Sequence, residues 1–144
     1  MLNQAQIIGT LRKIETRHTA AGDAVVSASV ATTERWTDKA SGEKRESTEW
    51  HNVAVFGQPA NFASQYAHVG DRVFVSGKIK TRKWQDQSGQ DRYTTEIVVQ
   101  NFGGQFNVVH SKQQQIQQTQ PIVQNKLTPQ PIQPPINFDD DIPF

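Results

Sequence analysis

The stretch Ser47-Thr48-Glu49-Trp50-His51-Asn52-Val53-Ala54-Val55-Phe56, followed by Gly57-Gln58-Pro59, decides how the rest of the chain is read. Its residues alternate with a period of two, as in a half-buried strand, and the Gly and Pro that follow end it. His51, Val53 and Val55 form the natural core-facing row, which leaves Trp50, Asn52, Ala54 and Phe56 on the outward face. Large apolar rings on an outer face require a partner. Three readings stay open for them: rings offered for stacking, a subunit interface, or barrel filling if the strand phase slips by one residue.

Upstream, residues 24–33 alternate in the same way, with Ala24, Val26, Ala28 and Val30 on one face and Val25, Ser27 and Ser29 on the other. Residues 5–17 carry Ile7, Ile8, Leu11 and Ile14, and Gly9 interrupts them where a strand bends sharply. Ala20-Ala21-Gly22-Asp23 turns the chain between these two blocks. A polar hairpin over residues 34–46, with its tip near Ala40-Ser41-Gly42, leads into the decisive stretch.

Downstream, residues 59–67 make the one good helical segment. Pro59 suits a helix start, Phe62, Ala63 and Tyr66 share a face, and Gly70 closes the segment. A fourth strand is expected over 71–84, with Val73, Val75, Gly77 and Ile79 inward and Lys78, Lys80, Arg82 and Trp84 outward. A second hairpin turns at Gln87-Ser88-Gly89-Gln90, and a fifth strand covers 93–101. Gly103-Gly104 marks a kink before a short terminal strand over 105–109. Three strands, one helix and two strands is the order of a five-stranded OB-fold barrel, so the expected fold class is all-β with one short helix.

The composition changes abruptly after this region. Residues 111–138 hold nine Gln and five Pro with no apolar period. Such a segment cannot offset its ordering entropy by burial, so it reads as a disordered linker. The expected organisation is a folded domain over 1–110, a Gln/Pro-rich linker over 111–138 and an acidic tip over 139–144.

Charge follows the same division. Residues 1–110 carry 13 Lys and Arg against 11 Asp and Glu, whereas the last six residues add three Asp and no base. A mildly basic body with an acidic end fits a polyanion binder with a separately charged tail. The chain has no Cys, which excludes disulfides, thiolate metal ligands and a cysteine nucleophile. No basic-then-apolar leader opens it, and no apolar run approaches the roughly 18 residues a bilayer span needs. The expected location is therefore cytoplasmic.

The cations and rings stand in register. Lys78, Lys80 and Arg82 end in the indole of Trp84, Trp36 follows Arg35, and Lys44 and Arg45 lie on the return arm of the first hairpin. Cations that follow phosphates and rings that stack on bases suit a single-stranded nucleic acid, whereas a duplex hides its base faces. An ordinary solvated row of cations is the competing reading for Lys78, Lys80 and Arg82.

These residues resemble the bacterial single-stranded DNA-binding protein family (SSB). The resemblance rests on Thr33-Glu34-Arg35-Trp36, on Thr48-Glu49-Trp50-His51 leading to Val55-Phe56-Gly57, on the run TRKWQDQSGQDRYTTE over 81–96, and on Asp139-Asp140-Asp141-Ile142-Pro143-Phe144. It implies a homotetramer of OB folds with single-stranded DNA wrapped around it. It places base stacking on Trp36, Trp50, Phe56 and Trp84, phosphate contacts on Arg82 and Lys83, and His51 near a subunit interface. It also implies that the acidic tip recruits replication, recombination and repair proteins: Pro143 restricts the backbone, Phe144 fills an apolar pocket, and the aspartates steer toward basic partners. Asn52 and Gln58 depart from the pattern, standing where basic residues are common, which implies fewer phosphate contacts.

Two rival classes differ in their signatures. An enzyme would need a constellation that is not evident: Asp86 and Asp91 flank a glycine turn of the kind hairpin tips ordinarily carry, and His18, His51, His68 and His110 lack ligand spacing. No catalysis, cofactor or metal is expected. A protein-protein adaptor on the same fold would need neither four outward rings nor the acidic tip.

Overall fold

A computed structural model of the chain describes residues 1–112. The expected linker and acidic tip lie outside the described residues. Six strands and one helix follow in order: β1 (Ala5–His18), β2 (Ala24–Thr37), β3 (Lys44–Phe56), α1 (Gln58–Tyr66), β4 (Arg72–Gln85), β5 (Asp91–Val99) and β6 (Gln105–His110). No helix among the described residues is long and apolar enough to cross a membrane.

β1 pairs antiparallel with β2, and β2 with β3. β3 runs parallel to β5 over Val53↔Ile97 to Val55↔Val99, and β5 is antiparallel to β4. β4 then returns to β1 through Ala5↔Gly77 to Thr10↔Arg72, which closes a five-stranded barrel. β6 adds a sixth strand against the first half of β4. This is the all-β OB architecture expected from the order of the elements.

The core collects the inward rows the sequence marks. Leu11, Val26, Val30, Val55, Val73, Val75 and Val99 are fully buried, and Val53, Ile97 and Phe106 nearly so. β-branched residues dominate because they pack well on a pleated surface. Two glycines let the barrel close tightly: a Cβ on Gly9 would lie 2.5 Å from the Ala31 carbonyl oxygen, and one on Gly77 would lie 2.4 Å from that of Val98. Gly9 thus serves a close backbone approach.

Three expectations need correction. Ile79 belongs to the inward row of β4 but is 47% exposed, because β4 has by then left β1 and runs out along β5. Helix α1 does not pack through its aromatic residues. Ala60, Ala63 and the following Ala67 are its buried residues, whereas Phe62 and Tyr66 lie outside with ring centroids 5.1 Å apart. Methyl-sized side chains let the helix sit close on the barrel end, where rings would hold it away. Ala54 sits in the outward row yet is buried, a methyl flanked by Ser27 and Val98 on the neighbouring strands.

Asp71, expected to open β4, instead precedes it as a fully buried carboxylate. Its oxygens accept the backbone N–H groups of His68 (2.9 Å) and Lys112 (3.1 Å) and the Ser111 hydroxyl (3.4 Å). Burial of a charge is tolerable only with such partners. The carboxylate therefore ties the end of β6 to the turn after α1. Replacing Asp71 by Ala orphans both N–H groups and is expected to cost about 1–3 kcal/mol for each donor left buried, read as a lowered melting temperature.

Candidate nucleic-acid interface

Two hairpins extend beyond the barrel. β2 and β3 stay paired as far as Thr37↔Lys44, and β4 and β5 as far as Gln85↔Asp91. The first arm is the hairpin expected over 34–46, with residues 34–37 and 44–46 paired in its ladder. Hydrophobic period does not report such a ribbon, because neither face is buried and cross-strand pairs hold it instead. Most residues of β4 after Gly77 are exposed, as are those of β2 after Thr32.

The four rings picked out from the sequence are all outside the barrel: Trp36 is 47% exposed, Trp50 61%, Phe56 37% and Trp84 43%. Reading them as barrel filling is thereby excluded. Trp50 and Phe56 stand in the outward row opposite Ala31 and Val25, and Trp84 in the outward row of β4 opposite Arg92. Trp36 continues the other row of β2, the one that holds Val30 in the core, and pairs with Arg45. It is open because its strand has left the barrel. The Trp84 indole Nε1–H donates to Thr94 Oγ1 at 2.8 Å, so its polar edge is satisfied within its own hairpin. Tyr93, opposite Lys83, is a further exposed ring that the sequence reading passed over. Its cross-strand partner, once the register is known, is the signal that marks it.

The cations divide into two groups. Arg35 pairs with Glu46 at 2.8 Å, Arg82 with Glu96 at 3.4 Å and Lys83 with Asp91 at 3.1 Å. Lys78 and Lys80 are exposed and have no ion-pair partner among the described residues. Exposed pairs of this kind are worth about 0–1 kcal/mol. A phosphate can therefore displace the carboxylate at small cost.

Both hairpin tips are organised by an aspartate. Asp38 accepts the Ala40 N–H and the Arg45 guanidinium, and Asp86 accepts the Ser88 hydroxyl and N–H, the Gln90 N–H and the Arg92 guanidinium. Gly42 and Gly89 supply the positive φ these turns need, at 72° and 80°. The Ala40 N–H holds the Asp38 carboxyl below its ordinary value, with Arg45 adding to it. At Asp86 the Ser88 hydroxyl does the most, followed by Arg92. Asp86 and Asp91 are thus occupied by protein donors, and the described residues contain no group of three side chains able to hold a metal ion.

His51 is half-buried, with Nε2 2.8 Å from Thr32 Oγ1. It borders a cleft of about 420 Å³ shared with Ala5, Ile7, Trp50, Ile79 and Ile97. A second cleft of about 490 Å³ lies along the first hairpin, between Trp36 and the basic side chains of Arg35, Lys44 and Arg45. The structure thus distributes Arg35, Trp36, Lys78, Lys80, Arg82, Lys83 and Trp84 over the two ribbons, and Trp50 and Phe56 over the barrel strand that feeds the first.

A closed OB-type barrel with two ribbons bearing open rings among cations defines a class of nucleic-acid-binding module. The sequence model of the single-strand binding protein family matches residues 2–105, and the chain belongs to that family. Among solved structures it is similar to the SSB of Plasmodium falciparum, in complex with ssDNA, at 31% identity and a TM-score of 0.67, covering 76% of this chain and 96% of that one. It also shares its fold with a deletion mutant of the single-stranded DNA binding protein from Thermus aquaticus, at 24% identity and a TM-score of 0.60. That match covers 77% of this chain and 52% of the other.

The lowered pKa at Asp86 has a definite sign. A depressed carboxyl favours the ordered turn above the ordinary aspartate value, and that contribution is lost as pH falls through the folded value. In an NMR titration the Asp86 midpoint is expected below that of an exposed aspartate, and Ser88→Ala is expected to move it upward.

Proposed function

We propose that this protein binds single-stranded DNA without regard to sequence, covers it during replication, recombination and repair, and recruits partner enzymes through Asp139, Asp140, Asp141, Ile142, Pro143 and Phe144. The observation that carries the first part is the exposure of Trp36, Trp50, Phe56 and Trp84 on one continuous set of strands, with Arg45 opposite Trp36 and Arg92 opposite Trp84. Every base has a π-face, so such rings accept any sequence, and Arg35, Lys78, Lys80, Arg82 and Lys83 supply charge for the phosphates. Family membership and the DNA-bound relative support the same reading.

Assembly as a homotetramer belongs to this proposal. The apolar cleft around His51 and Ile79 is unfilled in a single chain, which suits burial against a second copy. Light scattering tests it directly. The sequence of the acidic end supports the recruiting role.

Tryptophan fluorescence on poly(dT) separates DNA binding from a pure adaptor role. Strong quenching is expected, and little change would overturn the reading. Stacking on an exposed ring is worth about 1–3 kcal/mol per base, a value established on proteins of this same kind and taken over here, so Trp50→Ala or Trp84→Ala should weaken binding by about 5- to 150-fold. Lys80→Ala should flatten the slope of log K against log salt by about 0.7. Arg82→Ala should flatten it less, because Glu96 already holds that charge in the free protein. Removal of residues 139–144 should abolish partner binding while DNA binding is kept or slightly tightened. Loss of DNA affinity in the truncated protein would refute that division of labour.

A further inference from the structure

The two ribbons share a constellation that their sequences do not advertise. In the first, Trp36 lies directly opposite Arg45, and in the second Trp84 lies directly opposite Arg92. Opposed residues of an antiparallel pair have Cβ atoms about 4.5–5.5 Å apart, so each of these tryptophans has an arginine as its cross-strand neighbour on the same face. Each guanidinium is held by the aspartate of its own turn: Arg45 Nε donates to Asp38 Oδ2 at 3.0 Å, and Arg92 Nε to Asp86 Oδ2 at 3.0 Å. The other carboxylate oxygen serves the turn. Asp38 Oδ1 accepts from the Ala40 N–H, and Asp86 Oδ1 from Ser88 and Gln90.

We propose that Asp38 and Asp86 are positioning residues for strand binding, holding Arg45 and Arg92 beside Trp36 and Trp84 so that each indole takes a base while its guanidinium takes an adjoining phosphate. The tether engages Nε, and the Nη edge of each guanidinium has no hydrogen-bond partner among the described residues. That edge carries the paired donors suited to a phosphate. This inference rests on the strand-binding reading above and extends it to four residues outside the rings and cations already assigned.

Two effects of the carboxylates oppose each other, and their sizes decide the sign. A carboxylate roughly 7 Å from a bound phosphate weakens association by less than about threefold in water, and salt screening reduces this further. Freezing a free arginine on binding weakens association by about two- to twelvefold, and a tether present beforehand avoids that loss. Pre-ordering wins at physiological salt. Removing a negative charge from these turns therefore weakens the grip on a polyanion.

Asp38→Asn and Asp86→Asn isolate the effect, because asparagine keeps the oxygen that accepts the turn N–H groups and places an NH2 where Arg Nε donates. Poly(dT) affinity at about 0.15 M salt, read by tryptophan quenching, is expected to fall by about two- to fivefold in each variant, the size of one exposed charged pair. Unchanged melting temperature and loss of the protected Arg Nε–H signal in NMR spectra show that the tether alone has gone. In an Arg92→Gln or Arg45→Gln background, the matching Asp→Asn change should no longer weaken binding. Tighter binding by the single variants, or the same loss in both backgrounds, overturns the proposal. If wild-type fluorescence is still strongly quenched in that case, only the positioning role fails. Absence of quenching in the wild type would remove the strand-binding reading as well.

Discussion

β4 changes partners along its length, and the rest of the molecule follows from that change. Its first half, from Arg72 to Gly77, hydrogen-bonds to β1, and its second half, from Lys78 to Gln85, hydrogen-bonds to β5. A strand can serve two neighbours in this way only if it bends and is approached closely at the crossing. Gly77 stands at that point, with the Val98 carbonyl where a side chain would begin. The barrel closes through the first half of β4, and the second half leaves it as a ribbon arm.

Closure also explains why large rings can remain outside. The core is filled by Leu11 of β1, by valines of β2, β3, β4 and β5, and by Ile97 and Phe106. The tryptophans stand on the ribbons and the outer rows, beside cross-strand neighbours: Thr94 for Trp84, Ala31 for Trp50, Arg45 for Trp36. The stability of the fold and the availability of the rings thus depend on separate residues. Asp71, buried at the opposite end of β4 from the ribbon, fixes the last described residues by hydrogen bonds and is equally independent of them.

The ribbons carry charge in a self-neutralised form. Arg35, Arg45, Arg82, Lys83 and Arg92 each form an ion pair with a carboxylate, and Lys39, Lys44, Lys78 and Lys80 form none among the described residues. A surface of this kind resists non-specific attraction of anions and still exposes π-faces. Its selectivity for a ligand with unpaired bases then rests on stacking more than on net charge, consistent with a formal charge of only +1 for the whole chain.

The sequence by itself determined the strand order, the phase of β2 and β3, and the outward placement of Trp50, Phe56 and Trp84, because a half-buried strand writes its two faces into alternate residues. It also marked Gly9, though not the carbonyl it admits. Only the tertiary structure decided where the barrel ends. Ile79 reads as core and is exposed, and of the helix face shared by Phe62, Ala63 and Tyr66 only Ala63 is buried. The pairs Trp36 with Arg45 and Trp84 with Arg92 were equally hidden, since register joins residues that alternation treats as unrelated. Periodicity is a property of one strand against one surface, whereas closure, register and the length of an unburied ribbon are properties of several strands at once.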